Sequence, residues 1–153
     1  MKRGRLYERL ESRWRELHDA IQGLSDDALL EAGAVGQWSI RDVLAHVTTW
    51  DEEALKALPV ILEGGRVPRY STLYGGIDAF NAQAQGRKMG LSLEQVFAEL
   101  QGTHQRLLSY LKGVQDAAFN RENRFLRRLR QDTYGHYREH AGQIRAWREK
   151  RCA

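Results

Sequence analysis

Apolar residues recur three and four positions apart over long stretches of this chain, and that period leaves it few choices of fold. Leu6, Leu10, Trp14, Leu17 and Ile21 share one side of a helix. A second segment does the same with Ile40, Val43, Leu44, Val47, Ala54, Leu55, Leu58, Ile61 and Leu62. A third carries Leu93, Val96, Phe97, Leu100, His104, Leu107, Leu108, Leu111 and Val114. Strand-like alternation is scarce, and Pro59 and Pro68 are the only prolines. The fold class is therefore all-α.

Turn and cap residues divide the chain. The first helix runs from about Arg5 to Gln22, where Gly23 stops it. Ser25 caps one short helical turn through Leu30. Ser39 caps the second long helix, with Asp42 at the capping-box position. Pro59 kinks its last turns and Gly64-Gly65 ends it. Residues 66–91 form a long connection holding a short helix from Ile77 to about Gln85, interrupted by Gly86 and Gly90. Such a connection serves as a pocket wall, as a crossover between parallel neighbours, or as both. Ser92 caps the third helix, and Gly113 ends it. A fourth, broken near Arg130-Gln131-Asp132, runs to about Lys150.

Composition excludes several classes. The 153 residues suit one domain, 1–153, and 42% hydrophobic with 29% charged residues is the balance of a soluble globular chain. No apolar run reaches the ~18 residues of a membrane span. Met1-Lys2-Arg3-Gly4-Arg5 is followed by Leu6-Tyr7-Glu8-Arg9 rather than by an apolar core, so no secretory signal is expected. The single cysteine, Cys152, has no internal partner, which points to a reducing cytoplasm. The net charge of +4 is concentrated between Arg121 and Arg130. That cluster reads as the solvated face of a helix whose apolar side is Phe125, Leu126 and Leu129. No helix-turn-helix, zinc-finger spacing or aromatic stacking platform accompanies it to argue for nucleic acid.

The chemistry lies in the histidines. His136, His140, Ile144 and Trp147 fall on one side of the last helix, with Tyr137 beside them and Arg138, Arg145 and Arg148 opposite. An apolar stripe does not accept imidazoles without partners. Either each ring is hydrogen-bonded, or both bind one ion, which the i, i+4 spacing allows. His46 and Trp50, also four apart, border the apolar arc of the second helix, so His46 is a third candidate ligand. Three imidazoles suit zinc, nickel, iron or copper. They leave positions open to water or substrate, the layout of a catalytic site where water is activated near neutral pH. Glu139 and Asp42 are candidates for holding the outer ring nitrogens. His104 reads as a core ring bonded to a neighbour, and His18 as a boundary residue. His136 to His140 also matches the H-x-x-E-H pattern of inverted zincins. The residues after His140 contain no histidine and only Glu149 as an acid, so a metalloprotease is not expected.

Three blocks resemble a known family. Trp38-Ser39-Ile40-Arg41-Asp42-Val43-Leu44-Ala45-His46-Val47-Thr48-Thr49-Trp50 resembles the second-helix motif of the DinB-like superfamily. Ile77-Asp78-Ala79-Phe80-Asn81 and the stretch from His136 to Trp147 resemble its ClbS/DfsB branch. The resemblance implies a four-helix bundle with long crossovers, a metal held by His46, His136 and His140, and a pocket over it. Trp50, Tyr74, Tyr137 and Gln143 are candidates for the pocket walls from helical phase and the long connection. It further implies a divalent transition metal (zinc, nickel or iron), a low-molecular-weight thiol as co-reactant, and a homodimer. The function expected is that of a metal-dependent hydrolase or thiol transferase acting on an electrophilic small molecule, such as a genotoxin. The alternatives are a non-catalytic protein that sequesters the toxin, and nucleic-acid binding through Arg121 to Arg130.

Overall fold

A computed structural model describes residues 2–152; Met1 and Ala153, the ends of the expected single domain, lie outside the described residues. The helices are α1 (Arg3–Ile21), α2 (Asp26–Leu30), α3 (Ile40–Leu62), α4 (Tyr70–Leu73), α5 (Ile77–Lys88), α6 (Leu93–Lys112), α7 (Arg124–Asp132) and α8 (Tyr134–Cys152). Among the described residues the only β-type pairing is one bridge between Val35 and Trp38. The long rods are α1, α3, α6 and the broken pair α7–α8. Helix α1 packs on α8, and α3 packs on both α6 and α7. The short α5 lies against α3. No helix among the described residues is long and apolar enough to cross a membrane.

The stripes read from the sequence face the core. Leu6, Leu10 and Leu17 of α1, Ile40, Leu44 and Leu58 of α3, and Leu100, Leu107 and Leu111 of α6 are all fully buried. Capping sets two of the helix starts. The Ser39 side chain accepts the Asp42 backbone N–H at 3.1 Å, and Asp42 accepts the Ser39 N–H at 3.1 Å. Ser92 and Gln95 repeat the arrangement at α6. A cap of this kind contributes about 1 kcal/mol.

Three details depart from expectation. Gly86 does not interrupt α5, which continues to Lys88. Tertiary contacts offset the poor helix propensity of glycine. Lys88 reaches Glu52 at 2.6 Å, and the nearly buried Arg41 donates to the Lys88 carbonyl and, at 2.8 Å, to that of Leu91. Arg148 does not stay opposite the apolar stripe; it donates to the Ala20 carbonyl of α1 at 3.1 Å. The arginines from 121 to 130 are not simply a solvated face. Arg128 bonds Asp132 at 2.6 Å and the Tyr70 hydroxyl at 2.7 Å, and Arg124 bonds the Gly65 carbonyl at 3.1 Å.

The expected break in the fourth rod falls at Thr133, whose backbone leaves the helical region (φ −121°, ψ −95°). Gly135 follows it because the chain passes close to Arg130. A Cβ there would lie 2.8 Å from the Arg130 carbonyl oxygen. This corner sets the direction of α8 and hence of its two histidines.

Candidate metal centre

His46 lies on α3, about two turns beyond the Ser39 cap. His136 and His140 lie on the first turns of α8. Their side chains converge: His136 Nε2 is 3.0 Å from His46 Nε2 and 2.9 Å from His140 Nε2. The three ligand atoms all lie within 4.8 Å of one another.

Hydrogen bonding alone does not satisfy this trio. His140 Nδ1 is 2.7 Å from Gln143 Oε1, which can only accept, so the ring proton sits on Nδ1 and the Nε2 lone pair faces the cluster. His136 Nδ1 is buried with no partner. A proton there would be an unpaired buried donor, and the Nε2 lone pairs of His136 and His140 would oppose each other at 2.9 Å. A proton on His136 Nε2 instead leaves Nδ1 an unpaired buried acceptor. A cation among the Nε2 atoms removes the lone-pair conflict. Two nitrogens at about 2.0–2.1 Å from one ion stand roughly 3 Å apart, as His136 stands from each of the others.

Burial keeps the rings uncharged and ready to donate lone pairs. It lowers His46 to about 3, with the nearby His140 adding to the effect. It lowers His136 to about 2, with His140 and His46 contributing. His140 is lowered as well, mainly by burial, against the pull of Gln143 and Glu139.

The candidate wall residues divide. Trp50 sits edge-on to His136 at 6.4 Å, and its Nε1–H donates to Asn81 Oδ1 at 2.9 Å. Tyr74 lies behind it, against Phe80 at 4.9 Å and Tyr70 at 5.8 Å. Gln143 touches the trio directly, as the partner of His140. Tyr137 is elsewhere. Its hydroxyl is fully buried and donates to the Asp51 carboxylate at 2.8 Å. One step from His136 turns a side chain by about 100°, enough to move it into the main core. Of the expected outer-nitrogen partners, Asp42 is engaged by Ser39 and Arg41. Glu139 is exposed and makes no hydrogen bond among the described residues. Gln143 takes that role for His140 instead.

A groove of about 460 Å³ lies beyond Trp38 and Asn81, lined by these two with Asp78, Gln85 and Met89 among others and by none of the three histidines. Trp38 lies 4.9 Å from the His46 ring, and Asn81 holds Trp50 against His136. Sequence reasoning did not single out Trp38, Asn81 and Gln85. The available signal was the i, i+4 spacing of Asn81 and Gln85, which puts both amides on one face of α5.

A family model described as DinB superfamily matches residues 9–144. No curated protein matches the chain. Three solved structures share the fold. One is an uncharacterised protein from Escherichia coli UTI89, 16% identical, with a TM-score of 0.75 over 98% of this chain and 94% of that one. The second is the colibactin self-resistance protein ClbS in complex with a dsDNA, 12% identical, TM-score 0.78, covering 97% of this chain and 96% of that one. The third is DfsB, described as a sibling lethal factor precursor, 12% identical, TM-score 0.79, covering 99% and 97%.

Proposed function

The chain belongs to the DinB superfamily, and on that premise we propose a metal-dependent enzyme that acts on an electrophilic small molecule. The observation that carries this reading is the convergence of the three Nε2 atoms. Zinc, nickel or iron held by His46, His136 and His140 would supply a Lewis acid beside Trp38 and Trp50. The chain's own residues do the rest. Gln143 fixes the His140 tautomer, burial holds all three imidazoles neutral, and the indoles of Trp38 and Trp50 shield two sides of the site from water. The groove admits the substrate, and water or a low-molecular-weight thiol is the second reactant. ClbS is described as a self-resistance protein, which favours a toxin as the substrate class.

The test is metal content of untagged protein beside a His136→Ala/His140→Ala variant. About one transition ion per chain, lost in the variant, supports the site; turnover of electrophiles with and without thiol then tests the reaction. No ion after zinc, nickel and iron are offered overturns it. Protection that needs stoichiometric protein and forms no product would assign the chain to toxin sequestration.

A second reading, duplex DNA binding, draws on the dsDNA in the ClbS complex. Arg121 and Arg127 are exposed and make no ion pair among the described residues. This reading predicts affinity that falls steeply with salt and is unchanged in the double-histidine variant. Absent or salt-independent binding removes it. The homodimer is also proposed, and sedimentation of the purified protein decides it.

A further inference from the structure

Residues 66–76 cross from the end of α3 to the start of α5 between two glycine pairs, Gly64-Gly65 and Gly75-Gly76. Gly64, Gly75 and Gly76 hold φ of 86°, 88° and 120°, the left-handed region that only glycine enters freely. The helix between them, α4, buries none of its residues. Among the described residues no backbone–backbone hydrogen bond joins 66–74 to α3, α5 or α7. The segment is not packed flat on α3 either. A cavity of about 200 Å³ separates them, with Ala57 and Val60 on one side and Val67, Leu73 and Tyr74 on the other.

One side chain holds this segment down. The Tyr70 hydroxyl donates to Glu53 of α3 at 2.9 Å and accepts from Arg128 of α7 at 2.7 Å. The other side-chain hydrogen bond to the segment, from Gln83 to the Tyr74 carbonyl, is long at 3.4 Å. The Tyr70 ring lies 5.4 Å from Trp50 and 5.0 Å from Phe80, so it covers the indole that stands edge-on to His136. Its polar partners are held independently of it. Glu53 also binds Lys56 at 3.0 Å, and Arg128 also binds Asp132 at 2.6 Å. Withdrawal of Tyr70 therefore leaves neither charge without a partner, which keeps the cost of release low.

We propose that residues 66–76 move as a flap, hinged at the two glycine pairs and latched by Tyr70 on Glu53 and Arg128, and that its opening uncovers the Trp50 indole beside the three histidines. Few buried contacts, an unfilled space beneath and a single latch place the segment at the low-stability end of the molecule. Glycine pairs at both ends absorb the change in direction. The use of such opening, access to His136 past Trp50, rests on the proposed metal chemistry; the flap stands on its own contacts.

Native-state proteolysis with chymotrypsin tests it, with cleavage after Tyr74 identified by mass spectrometry. Local opening exposes little surface, so below the global transition the wild-type rate should change little with urea. Tyr70→Phe keeps the ring and the fold but removes both latch bonds, and should raise that rate roughly tenfold. Glu53→Gln, whose amide oxygen still accepts the hydroxyl, should raise it less than Glu53→Leu. With 5-fluorotryptophan incorporated and the lines assigned by Trp50→Phe, the solvent isotope shift of the Trp50 fluorine should grow in Tyr70→Phe, while that of Trp14 in the core stays constant. The same behaviour in His136→Ala/His140→Ala separates the flap from the metal site. Cleavage that climbs with urea as steeply as global unfolding, or a rate unchanged in both Tyr70→Phe and Glu53→Leu, would overturn the proposal.

Discussion

Buried imidazoles lie to either side of α8, and the protein treats them in opposite ways. On the core side, His104 stacks on Trp14 with ring centres 3.7 Å apart and planes 2° from parallel. Its Nδ1 is 3.2 Å from the Tyr137 hydroxyl, which itself donates to Asp51 at 2.8 Å. Donors and acceptors alternate, and Asp51 is completely enclosed. On the other side, His46, His136 and His140 face one another through their Nε2 atoms, 3.0 and 2.9 Å from His136, and His136 Nδ1 has no partner. Burial depresses the basicity of His104 and of the trio alike. The partners make the difference. A buried ring bonded to a neighbouring side chain and stacked on an indole is part of the framework, whereas rings whose Nε2 atoms converge on one point are arranged to take an ion.

The contrast breaks most visibly in the double-histidine variant. His136→Ala/His140→Ala should fall from about one bound ion per chain to none while still folding, as read by metal analysis and circular dichroism. Tyr137→Phe should do the reverse. It strips from Asp51 its only side-chain partner among the described residues and one from His104, so urea unfolding should show a loss of about 2–3 kcal/mol. Metal-free His136→Ala should lose less than Tyr137→Phe; equal losses would erase the distinction between the two sides.

Gln143→Leu should lower the metal-free stability by about 1 kcal/mol, since His140 Nδ1–H loses its acceptor, and weaken metal binding roughly tenfold, because the His140 tautomer is no longer held. A competition titration with a chelating dye measures it, and unchanged affinity would deny Gln143 its role. A further effect is in acid. His104 is lowered to about 4, chiefly by burial and further by His18, so its unfolded form takes up protons first. Its contribution is complete above about pH 6.5 and is lost as pH falls from there toward 4. Asp132, raised to about 6 by burial, acts in the opposite sense and loses its contribution as pH rises through that value. Subtracting the His104→Phe stability profile from the wild-type profile isolates the histidine. A difference that is flat from pH 7 to 4 would contradict this assignment.

Much of this arrangement is legible in the chain itself. The three apolar stripes, the Ser25, Ser39 and Ser92 caps and the break before α8 are local features, set by spacing and by side chains within a few residues. The convergence of His46 with His136 and His140 follows from helical phase once the family is recognised. What was misread depends on distant contacts. Gly86 reads as a stop until Arg41 and Lys88 bind the end of α5 down. Tyr137 reads as a wall because a helical wheel places it beside His136, whereas Asp51 draws it into another layer. Asn81 enters the site only through Trp50, 31 positions earlier, which no local pattern announces.

The Nε2 atoms of His46 and His136 meet from positions 90 apart in the chain. The unfolded polypeptide does not offer that pair to one ion, so an ion in the proposed three-histidine site favours the native population. By mass action, a free-ion concentration one hundred times the dissociation constant adds about 2.7 kcal/mol to the stability of the fold. If the proposed site is filled, metal supply governs how much of the protein survives proteolysis, and a cell starved of that ion would lose the polypeptide itself.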